Sequence, residues 1–273
     1  MTISRAHGLD SQRLADLFAR AEAVAADMTL PLFRTGFAVD NKLATGFDPV
    51  TEADTEAERV IREAIAEAYP DHAIIGEEWP DRPGTAPYTW IIDPIDGTRA
   101  FISGVPVWGT LVGLLHEGRA IAGMMAQPFS RERWIALDGT TLYGRDGEAA
   151  PVRTSTTTAL DRAKLSTTAP EQFDTPARQA GWNAVAGRAL QIRYGLDCYA
   201  YCLLASGHLD LVVEAGLKDV DIAPLIPIIE GAGGVVTTWD GGPAEKGGDC
   251  VAAATPELHA EALAVIAEAM TNA

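Results

Sequence analysis

Trp90-Ile91-Ile92-Asp93-Pro94-Ile95-Asp96-Gly97-Thr98 carries an apolar run straight into an acidic turn. Trp90 to Ile92 reads as a buried strand. Pro94 fixes its own φ and removes a donor, so the backbone must turn between Asp93 and Asp96. Gly97 permits a close backbone approach or an unusual dihedral. The expected product is two carboxylates converging at a strand end, with the N–H groups of Gly97 and Thr98 just beyond. Converging carboxylates suit a hard divalent cation, and N–H groups beside them suit a phosphate oxygen. The plainer reading is an Asx turn, in which the aspartates serve only the backbone.

Upstream, Leu14, Leu17, Phe18, Ala21, Val24 and Met28 recur at the spacing of one helical face, and Pro31 ends or kinks that helix. Residues 36–50 are turn-rich and hold Lys42. Thr51-Glu52-Ala53-Asp54 has the form of a capping box, and Val60, Ile61, Ala64, Ile65 and Ala68 make the stripe of the helix it opens. Asp54 therefore has a plain role as a first-turn acid. Ala73 to Ile75 reads as a short strand running into Gly76-Glu77-Glu78. If the Pro- and Gly-rich link Pro80 to Pro87 lays that strand beside Trp90 to Ile92, Glu77 reaches the same strand end as Asp93.

Downstream, strands near 108–116, 120–127 and 133–137 with short turns predict an antiparallel meander. Later strands are expected at 164–168, 209–213, 235–239 and 251–254, with Glu214 at a strand end. Helices are expected at 174–181, at 197–206 with Gly207 closing it, and at 256–270. One further helix is expected from Asp219 through Asp221, Ile226 and Ile229 to Gly231, with Pro227 an odd interior residue. Alternating blocks favour layered α and β. The 273 residues form one unit, with approximate halves at 1–150 and 151–273.

Composition narrows the function classes. No apolar run approaches the ~20 residues that span a bilayer. A net charge of −17 argues against nucleic acid or anionic lipid as a partner, although solvated acidic helices explain most of the excess. Cys198, Cys202 and Cys250 lack metal-type spacing and read as reduced thiols. With no basic-then-apolar leader, the expectation is a cytoplasmic protein. His7, His72, His116, His208 and His259 also lack ligand spacing and are expected at the surface or in turns. The tryptophans are expected in the core, with Trp108 near the pocket.

In order along the chain, Asp48 to Asp54, Gly76-Glu77-Glu78, Trp90 to Thr98, Leu209 to Glu214, and Asp221 with Gly231 to Gly234 resemble the inositol monophosphatase family from about residue 10 to about 265. The resemblance implies a layered α/β/α/β/α sandwich of the inositol monophosphatase and fructose-1,6-bisphosphatase type. It also implies a magnesium-dependent phosphomonoesterase, commonly a homodimer. By that resemblance Glu77, Asp93 and the Ile95 carbonyl would hold one Mg²⁺, and Asp93, Asp96 and Asp221 a second. Glu77 would face a third, weaker site and, with Thr98, position the attacking water. Asp54 would bind metal-bound water, and the amides of Gly97 and Thr98 would hold phosphate oxygens. Val220 stands where the family usually has tryptophan, a departure in packing beside Asp221.

The segments Arg99 to Leu111 and Arg193 to Tyr201 resemble the histidinol-phosphatase branch, although Leu196 stands where that branch usually has glycine. Histidinol phosphate carries an ammonium and an imidazole. Asp197 beside the leaving group would favour a cation, whereas its plainer role is helix capping. Glu214 aligns with a position at the substrate's far end, and Arg193 pairs with Asp197 or Glu214. Lys42 is a candidate phosphate contact or a solvated lysine. The alternatives are inositol monophosphate or 3′-phosphoadenosine 5′-phosphate as substrate, or a binding protein with vestigial chemistry.

Overall fold

The computed structural model describes residues 8–36, 38–41 and 49–272. The chain begins with α1 (Ser11–Thr29), the ribbon β1 (Asp40–Asn41) and β2 (Pro49–Val50), and α2 (Glu52–Ala68). Next come β3 (Ala73–Gly76), β4 (Tyr88–Asp96) and the short α3 (Thr98–Ile102). A meander follows: β5 (Gly109–His116), β6 (Arg119–Gln127), β7 (Glu132–Leu137), β8 (Thr140–Arg145) and β9 (Glu148–Pro151). The later elements are β10 (Lys164–Thr167), α4 (Pro176–Ala186), β11 (Gln191–Tyr194), α5 (Asp197–Ala205) and β12 (Leu211–Leu217). The chain finishes with α6 (Asp219–Ile222), α7 (Leu225–Gly231), β13 (Val235–Thr238), β14 (Gly248–Ala253) and α8 (Pro256–Thr271).

Strands β3 to β9 form a seven-stranded sheet in sequence order, and β11-β10-β12-β14-β13 form a second sheet of five. Strand β3 runs parallel to β4, and every later neighbour in the first sheet is antiparallel. Side chains alternate across a strand, so one strand serves two cores. Trp90 and Ile92 pack with Phe18 of α1 and Ile61 of α2, while Ile91 packs on the other side with α5, α7 and the second sheet. The far face of the second sheet packs against α4 and α8. The architecture is therefore five layers, α/β/α/β/α.

The ends of the first two helices follow from local chemistry. Thr51 caps α2: its Oγ1 accepts from the Ala53 N–H, and the Thr51 N–H donates to Asp54 Oδ2 at 2.7 Å, the reciprocal capping box. Helix α1 stops at Thr29, two residues before Pro31.

The single helix expected from Asp219 to Gly231 is two short helices, broken at Ala223–Pro224. The break has a tertiary cause. Pro224 sits against Gly113 and Gly123 of the large sheet, and a Cβ added at Gly123 would lie 2.0 Å from the Pro224 carbonyl oxygen. Restarting at Leu225 also places Pro227 in a first turn, where its missing N–H would have had no helical partner. Strand β12 runs past the expected end, so Glu214 is a buried mid-strand residue paired opposite Cys250.

His72 keeps the expected turn position before β3 but is buried there, whereas His259 departs from expectation on α8. His72 is buried, stacks on Tyr69 and Tyr88, and accepts from Trp90 Nε1 at 3.0 Å. His259 is buried against Thr237. Trp79 is exposed rather than core, and Trp108 is enclosed by Phe33 and Phe101.

Gly123→Ala must push Pro224 off the sheet and move α6 with it. A loss of about 1–3 kcal/mol in equilibrium urea unfolding is expected. An unchanged urea midpoint would show that the contact with Pro224 is loose.

Candidate active site

Strand β4 does not end cleanly. Its register with β5 shifts between Asp93 and Asp96, and the extra backbone at Pro94 and Ile95 turns both aspartates toward one place. The Ile95 N–H donates to Asp93 Oδ1 at 3.0 Å, so the plain Asx turn is present too. The Thr110 hydroxyl donates to the Pro94 carbonyl at 2.8 Å and fixes the bulge. Gly97 adopts φ +84, and a Cβ there would lie 3.1 Å from the Asp197 side chain. Both facts require glycine.

Asp221 arrives from the opposite side on α6. Its Oδ2 accepts from the Lys218 N–H at 2.7 Å, which orients the carboxylate. One oxygen each from Asp93, Asp96 and Asp221 lies within 4.8 Å of the others. Asp96 Oδ2 also accepts from the Cys198 N–H at 2.7 Å. Burial, then the charges of Glu77 and Asp96, push the Asp93 carboxyl well above the ordinary range. Burial, then Asp221 and Asp197, do the same to Asp96. Burial raises Asp221 to about 6, opposed by the Lys218 hydrogen bond.

These carboxylates line a cavity of about 470 Å³ that also includes Glu77, Ile95, Gly97, Thr98, Asp197 and Glu214. Among the described residues lining it, seven are acidic and Arg99 alone is basic. Such a set is destabilised by its own repulsion unless protons or a cation relieve it. All-oxygen donors at this spacing fit a hard divalent ion such as Mg²⁺.

Glu77 stands on the turn after β3, within the cavity wall, and accepts from Lys218 Nζ at 2.9 Å. Thr98 Oγ1 lies 3.0 Å from the Ile95 carbonyl and 3.3 Å from Asp54 Oδ1. Asp54 is buried beneath Thr98, and its Oδ2 is committed to the capping box. Asp197 is the first residue of α5, with φ +46, and no side-chain hydrogen bond caps that helix. Its carboxylate is pushed up to about 6 by burial, with Arg99 opposing. Glu214 accepts from the Thr168 N–H and hydroxyl at 2.9 and 2.5 Å and from the Tyr201 hydroxyl at 2.9 Å. Burial raises its pKa against those bonds.

Arg193 is exposed on β11, outside the cavity wall, and among the described residues pairs with neither Asp197 nor Glu214. Arg99 is the cation that acts on Asp197 instead. Lys42 lies outside the described residues.

Sequence reasoning missed Lys218 and Glu58. Glu58 is fully buried on α2 and accepts from Arg62 at 2.6 Å and from the N–H groups of Glu78 and Trp79 at 2.7 and 3.2 Å. It thereby holds the turn that carries Glu77. Gly76 leaves room for it, since a Cβ there would meet Glu58 Oε1 at 2.1 Å. The one sequence signal was a charge inside an apolar helical stripe.

Comparison with known proteins gives a consistent relationship. Residues 10–271 match the model of the inositol monophosphatase family. The chain is 45% identical over 213 residues to the bifunctional phosphatase IMPL2 of Arabidopsis thaliana, covering 77% of this chain and 59% of that protein's length. It is 34% identical to a histidinol-phosphatase of Streptomyces coelicolor, over 93% of this chain and 96% of the relative. The solved structure of an inositol monophosphatase from Zymomonas mobilis superposes with a TM-score of 0.81 at 39% identity, covering 92% and 96% of the two chains.

Replacing Glu58 by Gln removes the ion pair with Arg62 and one acceptor for the turn. Cation affinity, measured by titrating Mn²⁺ and following its electron paramagnetic resonance, should fall about 10- to 100-fold. Unchanged affinity in a folded variant would mean that the turn holds itself.

Proposed function

The chain belongs to the inositol monophosphatase family, and we propose that it hydrolyses L-histidinol phosphate to L-histidinol and phosphate, as a step in histidine biosynthesis. The observation that carries the choice of ester is Asp197, a half-buried carboxylate packed over Gly97 in the wall of an acidic cavity. An ammonium beside the leaving oxygen would gain a charge-assisted hydrogen bond there. An inositol hydroxyl would gain less.

In this reading Glu77, Asp93 and the Ile95 carbonyl would hold one Mg²⁺, and Asp93, Asp96 and Asp221 would hold another. Glu77 would also face a third, weaker ion. When bound, the ions supply Lewis acidity to the phosphoryl oxygens and acidify water. The chain's own groups do the rest. The Thr98 hydroxyl directs its hydrogen toward Ile95 or Asp54, which leaves lone pairs for a water's hydrogen. With Glu77, it aims that water at phosphorus. The Gly97 and Thr98 amides hold non-bridging oxygens. The water oxygen bonds to phosphorus and gives up one proton, the ester P–O bond breaks, and the leaving alkoxide takes up one proton in exchange, so that water adds across the P–O bond. Glu214, held by Thr168 and Tyr201, faces the alcohol portion. The reading includes a cytoplasmic homodimer.

Inositol monophosphate is the second reading, favoured by the 39% identity to the Zymomonas mobilis inositol monophosphatase. Phosphate release from both esters in millimolar Mg²⁺ separates the two. Wild type should prefer histidinol phosphate, and Asp197→Asn should lose about tenfold or more of that preference while still turning over inositol phosphate. Asp93→Asn should abolish turnover of both. Equal wild-type turnover of the two esters would contradict the role given to Asp197.

A further inference from the structure

We infer that Lys218 sets the cation affinity of the acidic cavity by sharing the Glu77 carboxylate with the divalent ion. This rests on the reading of Glu77 and Asp221 as cation ligands. One residue touches both of them. The Lys218 main-chain N–H donates to Asp221 Oδ2 at 2.7 Å, and its Nζ donates to Glu77 Oε1 at 2.9 Å. The main-chain contact is available to any residue except proline, which lacks the donor. The contact with Glu77 needs the lysine side chain.

Glu77 is oriented by other groups. Glu58 accepts from the N–H groups of Glu78 and Trp79 and fixes the turn after β3. Arg62 donates to the carbonyls of Trp79 and Pro80 at 2.9 and 3.1 Å and holds the same turn from its other side. Lys218 approaches on a long stem, with its side chain 55% exposed against 14% for Glu77, and it is not among the residues lining the cavity. What it brings to Glu77 is charge.

Charge of that sign opposes a divalent ion on the same carboxylate. With Oε1 given to the ammonium, an ion held by Glu77 meets a partly neutralised ligand and a like charge beside it. Before an ion binds, the same ammonium relieves part of the repulsion among the seven acids of the cavity wall. An exposed ion pair contributes little to folding by itself, so the larger effect of Lys218 falls on the ion. The lysine therefore makes the site tolerable without a cation and weaker with one.

The test is titration of Mn²⁺, followed by its electron paramagnetic resonance, in wild type, Lys218→Met and Lys218→Arg, with folding checked by thermal melting without divalent ions. Methionine keeps the stem and the main-chain donor to Asp221 but removes the charge; arginine keeps the charge. Lys218→Met should bind Mn²⁺ about tenfold more tightly than wild type, and Lys218→Arg should stay within about twofold of it. If Lys218→Met melts early, Lys218→Gln carries the same comparison. Unchanged or weaker binding in the folded neutral variant would make Lys218 a structural or orienting partner and overturns the inference alone, as does an arginine variant that binds as tightly as the methionine one. A wild type that binds no Mn²⁺ overturns the cation reading and the inference together.

Discussion

Mutual repulsion among crowded carboxylates, one buried and the others half-buried, is the constraint on which the rest of this structure depends. Asp93, Asp96 and Asp221 bring oxygens within 4.8 Å of one another, with Glu77 in the same cavity. Each of the three aspartates is pushed toward its protonated form by burial and by the other acids. The sequence contributes these acids from three separate segments, and the fold holds them together against their charge. Such an arrangement is favourable only when something positive enters, which is the logic of a metal-dependent hydrolase.

Holding them together takes backbone more than side chains. Gly97 turns left-handed beneath Asp197, and Gly113 and Gly123 let Pro224 press onto the large sheet. That contact docks α6 and therefore Asp221. Gly76 makes room for Glu58, which in turn holds the Glu77 turn. Each acid has a partner that positions it: the Cys198 amide for Asp96, the Lys218 amide for Asp221, and the Ile95 amide for Asp93. The second sheet completes the cavity wall with Thr168, just past β10, and Glu214, in the middle of β12.

Local signals were legible in the sequence. The capping box at Thr51, the strand into Asp93, the parallel placement of β3 beside β4 and the meander each depend on neighbours in sequence or on period. The five-layer order followed from the resemblance, and the chain's family membership agrees with it. What was not legible depends on partners far along the chain. Nothing near Glu58 says that it will hold a turn twenty residues away. The break at Pro224 needs two glycines on other strands, and the burial of His72 needs Trp90 as a donor. Arg193 shares a motif with Asp197, yet β11 places it outside the cavity wall, and Arg99 acts on Asp197 instead.

The most direct measurement is urea unfolding of the wild-type chain across a series of Mg²⁺ concentrations, with Na⁺ at matched ionic strength as control. If the acids form a cation site in the folded state, the midpoint rises steadily with Mg²⁺ and not with Na⁺, because ligand that binds only the native chain stabilises it. A midpoint that ignores Mg²⁺ up to millimolar concentration, or follows Na⁺ equally, would contradict the account, since general screening of the −17 net charge would then be sufficient.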